Sequence, residues 1–216
     1  MNVATLNLNL GNAKRSFLYR KGTRDEAVIV QALKNNSYNL GRLRRGKELS
    51  DFYETSTRAG KTPLIVDAKA DIGASTLYFA CSFVKAHVVA IEPNPGNFEL
   101  LTANTNGLPV ECLQAAAHAD PARQVNGPAV GLNEIFQRHA QQGPPFIVKL
   151  HSEDGLFAGN TEWVARTPVI IVELSDGLIP GTANLRQFVA YIADLKRDFV
   201  YLHDSIFSIN REIIFS

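Results

Sequence analysis

Two acidic residues end consecutive apolar runs, and they are the chemically most suggestive pair in the sequence. Asp67 closes Leu64-Ile65-Val66, and Glu92 follows Val88-Val89-Ala90-Ile91 at a distance of 25 positions. A carboxylate in the second place can accept both hydroxyl hydrogens of a ribose, as in nucleotide-binding α/β folds. The turn after Asp67 reads Ala68-Lys69-Ala70-Asp71-Ile72-Gly73. A pyrophosphate needs glycines for close backbone approach and a free helix N-terminus. Only Gly73 meets that need, so NAD and FAD are not expected. A turn with an Asp and so few glycines suits S-adenosylmethionine better, because that cofactor has no phosphate. The same residues also suit a plain strand–turn–helix in which Gly73 only permits close packing. A second group, Lys149, His151 and Glu153, follows the run Phe146-Ile147-Val148. Histidine titrates near neutrality and suits a general base. Equally, His151 can cap a strand, Glu153 and Glu173 can be surface carboxylates, and Lys149 can pair with a neighbouring one.

The elements that must position these groups read as a doubly wound α/β domain. Short apolar strands are expected at 64–68, 87–91, 110–115, 145–150, 169–174, 199–202 and 209–215. Helices are expected at 74–84, 96–104, 132–140, 161–165 and 185–196, between most of the strands. Alternation of this kind implies a mostly parallel sheet, with ligands beyond the carboxyl ends of its strands. No helix fits between the last two strands, so they form a hairpin and one strand runs antiparallel. Residues 1–61 read as a helical N-terminal prefix, with helices at 25–33 and 48–59, ahead of a domain spanning 62–216. Phe52, Tyr53, Tyr78 and Phe79 read as core.

The chain has 216 residues, 45% of them apolar and 20% charged, with a net charge of +1. It is long enough to bury a sizeable core, and its charge balance draws it neither to nucleic acid nor to anionic membrane. The basic cluster Arg42, Arg44, Arg45 and Lys47 lacks interleaved aromatics and reads as a solvated face. Cys81 and Cys112 read as small core residues of a reducing compartment. Without an apolar leader or a run long enough for a membrane span, a cytoplasmic location is expected. His87, His118, His139 and His203 lack ligand-like spacing, and no metal is expected.

Several stretches together resemble the FkbM-type methyltransferases. They are Pro63 to Asp67 with Ile72 to Ala80, then Val89-Ala90-Ile91-Glu92-Pro93-Asn94-Pro95-Gly96-Asn97-Phe98-Glu99-Leu100-Leu101, and more weakly Ile147 to Leu150, Glu173-Leu174, Pro180 and Ile206 to Ile209. The resemblance implies a class I Rossmann-like fold, S-adenosyl-L-methionine as cofactor, and methyl transfer to a hydroxyl of a small-molecule or saccharide acceptor. Carried over by residue, Asp67, Lys69 and Gly73 belong to the cofactor turn and Glu92 to the ribose. Asn94 and Phe98 belong near the adenosine, and Ala116 and Ala117 to the adenine. The family's turn has glycine where this chain has Lys69 and asparagine where it has Asp71. His151 stands in place of an aspartate, and Ser175 and Gly177 also depart from the pattern. If the glycine position uses φ > 0, Lys69 strains the turn by about 1–2 kcal/mol. These departures leave a second expectation open: a catalytically inactive pseudo-methyltransferase, acting as a binding or scaffold module with a partner such as a second copy of itself.

Overall fold

The computed structural model describes residues 2–10, 13–118, 127–151, 156, 161–174 and 184–215. Two strands, β1 (Val3–Leu10) and β2 (Ala13–Arg20), open the chain as an antiparallel hairpin with Leu10 opposite Ala13. The expected helical prefix therefore begins with a hairpin, an element not anticipated from the sequence. In Thr5-Leu6-Asn7-Leu8-Asn9-Leu10 the apolar residues alternate with polar ones, which is the period of a strand with one covered face. Helix follows only from α1 (Asp25–Ile29), which widens into a π turn over Val30–Lys34, and in α2 (Gly46–Arg58).

The main sheet is built from β3 (Leu64–Ala68), β4 (His87–Ile91), β5 (Val110–Leu113), β8 (Pro145–His151), β9 (Val169–Glu173), β10 (Arg197–Leu202) and β11 (Ser205–Asn210). A separate two-residue pair joins β6 (Ala116–Ala117) to β7 (Ala129–Val130). The helices α3 (Ala74–Ser82), α4 (Pro95–Asn104), α5 (Leu132–Arg138), α6 (Glu162–Arg166) and α7 (Asn184–Ile192) connect the strands, and α8 (Arg211–Ile214) ends the fold. The strand order is β10-β11-β9-β8-β3-β4-β5. Strands β5, β4, β3, β8 and β9 pair in parallel, and β11 runs antiparallel between β9 and β10. This is the expected doubly wound Rossmann-like sheet with its reversed strand. The chain leaves β3 first toward β4 and later returns to β8 on the other side, so the topological switch lies between β3 and β8.

Each face of the sheet buries a separate apolar layer. Ile65, Val88, Ile147 and Ile171 pack under α3 and the prefix, with Phe17 and Leu49 fully buried there. Val66, Val89, Val148 and Ile170 pack under α5, α6 and α7, against Phe136, Trp163 and Phe188. The alternation follows from the two-residue period of strands covered on both sides. Phe52, Tyr53 and Phe83 surround Phe146 with ring centroids 5.3–5.8 Å away, so these aromatics are core.

The C-terminal strand lies earlier than 209–215. Ser205–Ile209 pairs with β9, and the Asn210 side chain then accepts from the Glu212 and Ile213 N–H groups, starting α8. An Asn that caps in this way ends a strand and begins a helix, which apolar content alone does not reveal.

A buried amide helps tie the hairpin to the domain. Asn104 accepts from Leu18 N at 2.7 Å and donates to Leu18 O at 2.9 Å and to Ile72 O at 2.8 Å. Asn104→Ala leaves these groups without partners at a cost of about 2–3 kcal/mol. A fall in Tm of about 5–10 °C is expected in a thermal melt; an unchanged Tm would show that water replaces the amide.

Candidate functional site

The turn from β3 to α3 passes through the left-handed region three times, at Lys69 (φ 57°), Asp71 (φ 50°) and Gly73 (φ 90°). Gly73 fits for two reasons. Its φ suits a residue without Cβ, and a Cβ there would sit 2.9 Å from Leu101 Cδ1 and 3.3 Å from Leu101 Cα. Close packing of the turn on α4 is therefore part of its role. Lys69 and Asp71 hold the same kind of backbone conformation with side chains attached, so the conformation expected of a glycine turn survives without its glycines. The strain falls on residues that ordinarily avoid it.

Glu92 directly follows β4 and is 2% exposed. Its Oε2 accepts from Asp71 N at 2.9 Å; Oε1 accepts from Asn94 N at 2.8 Å and, more weakly, from Asn97 Nδ2 at 3.4 Å. Burial raises its pKa above the ordinary value, opposed by the Asn94 backbone bond and reinforced by the nearby Asp71 charge. Asn97 also donates to Asp71 Oδ1 at 3.1 Å and accepts from Arg20 Nη2 at 2.5 Å. Arg20 in turn holds Asp25 through Nε and Nη2, each at 2.8 Å. Arg20, Asp25, Val28, Asp71 and Asn97 line a cavity of about 330 Å³ beside the turn.

A second cluster spans the carboxyl ends of β3, β8 and β9. The register sets Asp67 beside Lys149 and His151 beside Glu173. Asp67 is fully buried; its Oδ2 accepts from Ser75 Oγ at 2.7 Å and Thr76 Oγ1 at 2.6 Å, both in the first turn of α3. Its Oδ1 lies 3.3 Å from Lys149 Nζ, an ion pair without hydrogen-bond alignment. Lys149 Nζ donates to Lys69 O at 3.2 Å and lies 3.4 Å from both Glu173 Oε2 and His151 Nε2. His151 Nε2 is 2.7 Å from Glu173 Oε2. Tyr38 Oη and Gln31 Nε2 both donate to Glu173 Oε1. Burial alone would raise the Glu173 pKa; the Lys149 charge, the bond from His151 and that from Tyr38 outweigh it and hold the carboxyl well below its usual range. Burial, followed by the Glu173 charge, pushes the Tyr38 phenol well above its usual value, so it remains a donor.

The structure thus brings Asp67, Lys69, Lys149 and His151 into one cluster and Gly73, Glu92 and Asn94 into the adjoining turn and strand end. Lys149 does form the salt bridge that its sequence position suggested. Asn94 caps α4 by accepting from Asn97 N at 3.1 Å, which commits its side-chain oxygen to the fold. Phe98 packs on Ala70, Ala90 and Leu101. Ala116 and Ala117 pair with Ala129 and Val130. Glu153, Ser175, Asp176, Gly177 and Pro180 lie outside the described residues. Sequence reasoning missed Tyr38, Gln31, Ser75, Thr76 and Asn97 as site neighbours. Ser75 and Thr76 carry a signal, since hydroxyls in the first turn after an acidic strand end can reach it. Tyr38 and Gln31 carry none, because they lie 135 and 142 positions from Glu173.

No family model and no curated protein matches the sequence. Among solved structures, a methyltransferase from Geobacter sulfurreducens is 18% identical, covers 88% of this chain and 90% of its own, and has a TM-score of 0.42. A SAM-dependent methyltransferase from Agrobacterium tumefaciens is 8% identical over 94% and 69% of the two chains, with a TM-score of 0.46. TrmK of M. capricolum, solved with S-adenosyl-homocysteine, is 14% identical over 76% and 67%, with a TM-score of 0.43.

Removing the cation between two buried carboxylates is costly, and Lys149→Met should destabilise the protein by about 3–5 kcal/mol in urea denaturation. Lys69→Gly should do the reverse, gaining about 0.5–1 kcal/mol once glycine's chain entropy is subtracted from the relief of strain. The folded-state pKa of Glu173 lies below the ordinary 4.5. Its contribution to stability is therefore complete above that value and is lost as pH falls through the lower folded value. Unfolding free energy measured against pH should fall less steeply on the acid side in Glu173→Gln than in the wild type.

Proposed function

We propose that the chain is an S-adenosylmethionine-dependent methyltransferase of FkbM type, acting on a hydroxyl of a sugar or other small natural product in the cytoplasm. One observation carries this reading. At the carboxyl ends of β3 and β4, a turn with three left-handed residues meets a buried carboxylate, Glu92. A carboxylate has about four acceptor positions, and three are occupied here by Asp71, Asn94 and Asn97. One position is left, and the 3.4 Å bond from Asn97 is the weakest competitor for another. That suits the two hydroxyls of a ribose. Asp67 Oδ1, buried and without a hydrogen bond, suits a further donor beside the turn.

The cofactor supplies a methyl group activated on a sulfonium sulfur. The protein's contribution to such a transfer is mainly position, since holding the reacting atoms in line supplies most of the advantage. Glu92 orients the nucleoside, and Asp67 with the turn holds the rest of the cofactor. His151 is the base for the acceptor hydroxyl. Its Nε2 faces a carboxylate held ionised, so Nε2 carries a proton and the lone pair is on Nδ1. Glu173 orients the ring and stabilises the imidazolium formed when the proton arrives, and Lys149 keeps Glu173 charged. Glu153 is the second candidate base of this reading, and Ala116 and Ala117 remain its adenine neighbours.

The near-complete internal satisfaction of Glu92, together with Lys69 in a glycine position, favours a second reading: a pseudo-methyltransferase whose cofactor seat is closed. Calorimetric titration of S-adenosylmethionine and S-adenosylhomocysteine separates the two. Wild-type binding in the micromolar range, about −8 kcal/mol, weakened at least about tenfold in Glu92→Ala, is the expected result. Binding recovered only in Lys69→Gly would support the closed seat. Absence of binding in both proteins would reject the methyltransferase reading.

A further inference from the structure

At the amino end of the sheet, away from the cluster just described, two histidines and a glutamate converge. His87 is the first residue of β4, Glu111 lies on the neighbouring edge strand β5, and His139 is the C-cap directly after α5. Val89 pairs with Glu111, and His87 shares a face with Val89, so both side chains point toward α5. His139 Nε2 is 3.1 Å from Glu111 Oε2, and His87 Nε2 is 3.7 Å from the same oxygen. One ligand atom from each residue lies within 4.8 Å of the other two. The imidazole centroids are 4.9 Å apart.

Neither contact has hydrogen-bond alignment. Both Nε2 atoms are buried and lack a hydrogen-bond partner, although a carboxylate oxygen stands beside them. Buried polar atoms are almost always satisfied, so a pair of them facing one oxygen needs an explanation. A single cation between the three atoms satisfies all of them. Tetrahedral zinc with ligands at about 2.0–2.1 Å has ligand–ligand edges of about 3.3 Å, close to the 3.1 and 3.7 Å of the two edges to Glu111, while the third edge lies within 4.8 Å.

The surroundings fit as well. His139 Nδ1 lies 3.3 Å from Gln142 Oε1, an acceptor that places the proton on Nδ1 and the lone pair on Nε2. Arg138 Nη1 donates to Glu111 Oε1 at 2.8 Å, which occupies the distal oxygen and leaves Oε2 toward the histidines. His139 is 5% exposed, while His87 and Glu111 are half-buried, so the set is reached from solvent on one side.

We propose that His87, Glu111 and His139 form a binding site for a divalent transition metal of the zinc class, with a fourth position open to water. Imidazole nitrogen with one carboxylate oxygen suits Zn²⁺ and its borderline neighbours and not Mg²⁺ or Ca²⁺, which take oxygen ligands. The metal would clip the edge strand β5 and its neighbour β4 to α5. The site is independent of the methyltransferase reading.

The test is calorimetric titration of Zn²⁺ into untagged, metal-stripped full-length protein, with a thermal melt beside it. One equivalent should bind, and Tm should rise by about 5–10 °C at a hundredfold excess of free Zn²⁺ over Kd. His139→Asn and Glu111→Gln should weaken binding by more than the roughly 10–100-fold typical of an outer-shell change, and Gln142→Ala by about that outer-shell amount. Cys81→Ser/Cys112→Ser should bind as the wild type does, since thiols are the rival ligands. Far-UV circular dichroism checks that each variant is folded. If His139→Asn is not, the visible spectrum of bound Co²⁺ in the wild type and in Glu111→Gln decides. Absence of stoichiometric binding, or binding unchanged in a folded His87→Asn/His139→Asn protein, would overturn the proposal.

Discussion

Two carboxylates end strands on either side of β8, and the cation between them makes the arrangement sustainable. Asp67 and Glu173 are nearly or wholly removed from water, and two like charges so placed are costly unless compensated. Lys149 lies within 3.4 Å of both. Around that pairing the rest of the site acquires its shape. The hydroxyls of Ser75 and Thr76 place α3 over Asp67. Tyr38 and Gln31 bring the prefix onto Glu173. The Lys69 carbonyl, accepting from the same ammonium, fixes the start of the turn. Charge compensation at the switch of the sheet therefore couples three strands, one helix and the prefix.

The turn illustrates how backbone and side chain can diverge. Its three left-handed positions are retained while two of them carry Lys69 and Asp71. A residue can be held there only when neighbouring bonds over-determine the path. The bond from Asp71 N to Glu92 and that from Lys149 to Lys69 O supply this determination. Glu92 is thus itself part of what holds the turn.

Much of this was legible in the sequence where periodicity and strand ends coincide. Short apolar runs at Leu64–Ala68, His87–Ile91 and Val169–Glu173 are strands; Asp67 and Glu173 meet through Lys149, and Glu92 lies at the same end of the sheet. The lack of room between the last two strands correctly implied a reversed strand. Other features were hidden for physical reasons. The alternating Leu and Asn of Val3–Leu10 fall within the expected helical prefix, and so short a strand declares itself only through its partner, Ala13–Arg20. Asn210 turns the chain through a side-chain cap, which apolar content does not show. Tyr38 and the trio His87, Glu111 and His139 meet only through tertiary packing, so spacing along the chain says nothing of them.

The hairpin β1–β2 has a consequence of its own. It belongs to neither edge of the main sheet, and an isolated two-stranded hairpin is at best marginally stable. Its order is borrowed from the domain through Asn104 and through the path Arg20–Asn97–Glu92. That path makes the hairpin a gauge of the domain's interior. A change at Glu92 that displaces Asn97 weakens the hold on Arg20. By thermodynamic reciprocity, whatever firms the hairpin against the domain alters how readily Glu92 exchanges its partners. The first strands of the chain are in this sense a remote handle on the turn that Glu92 holds.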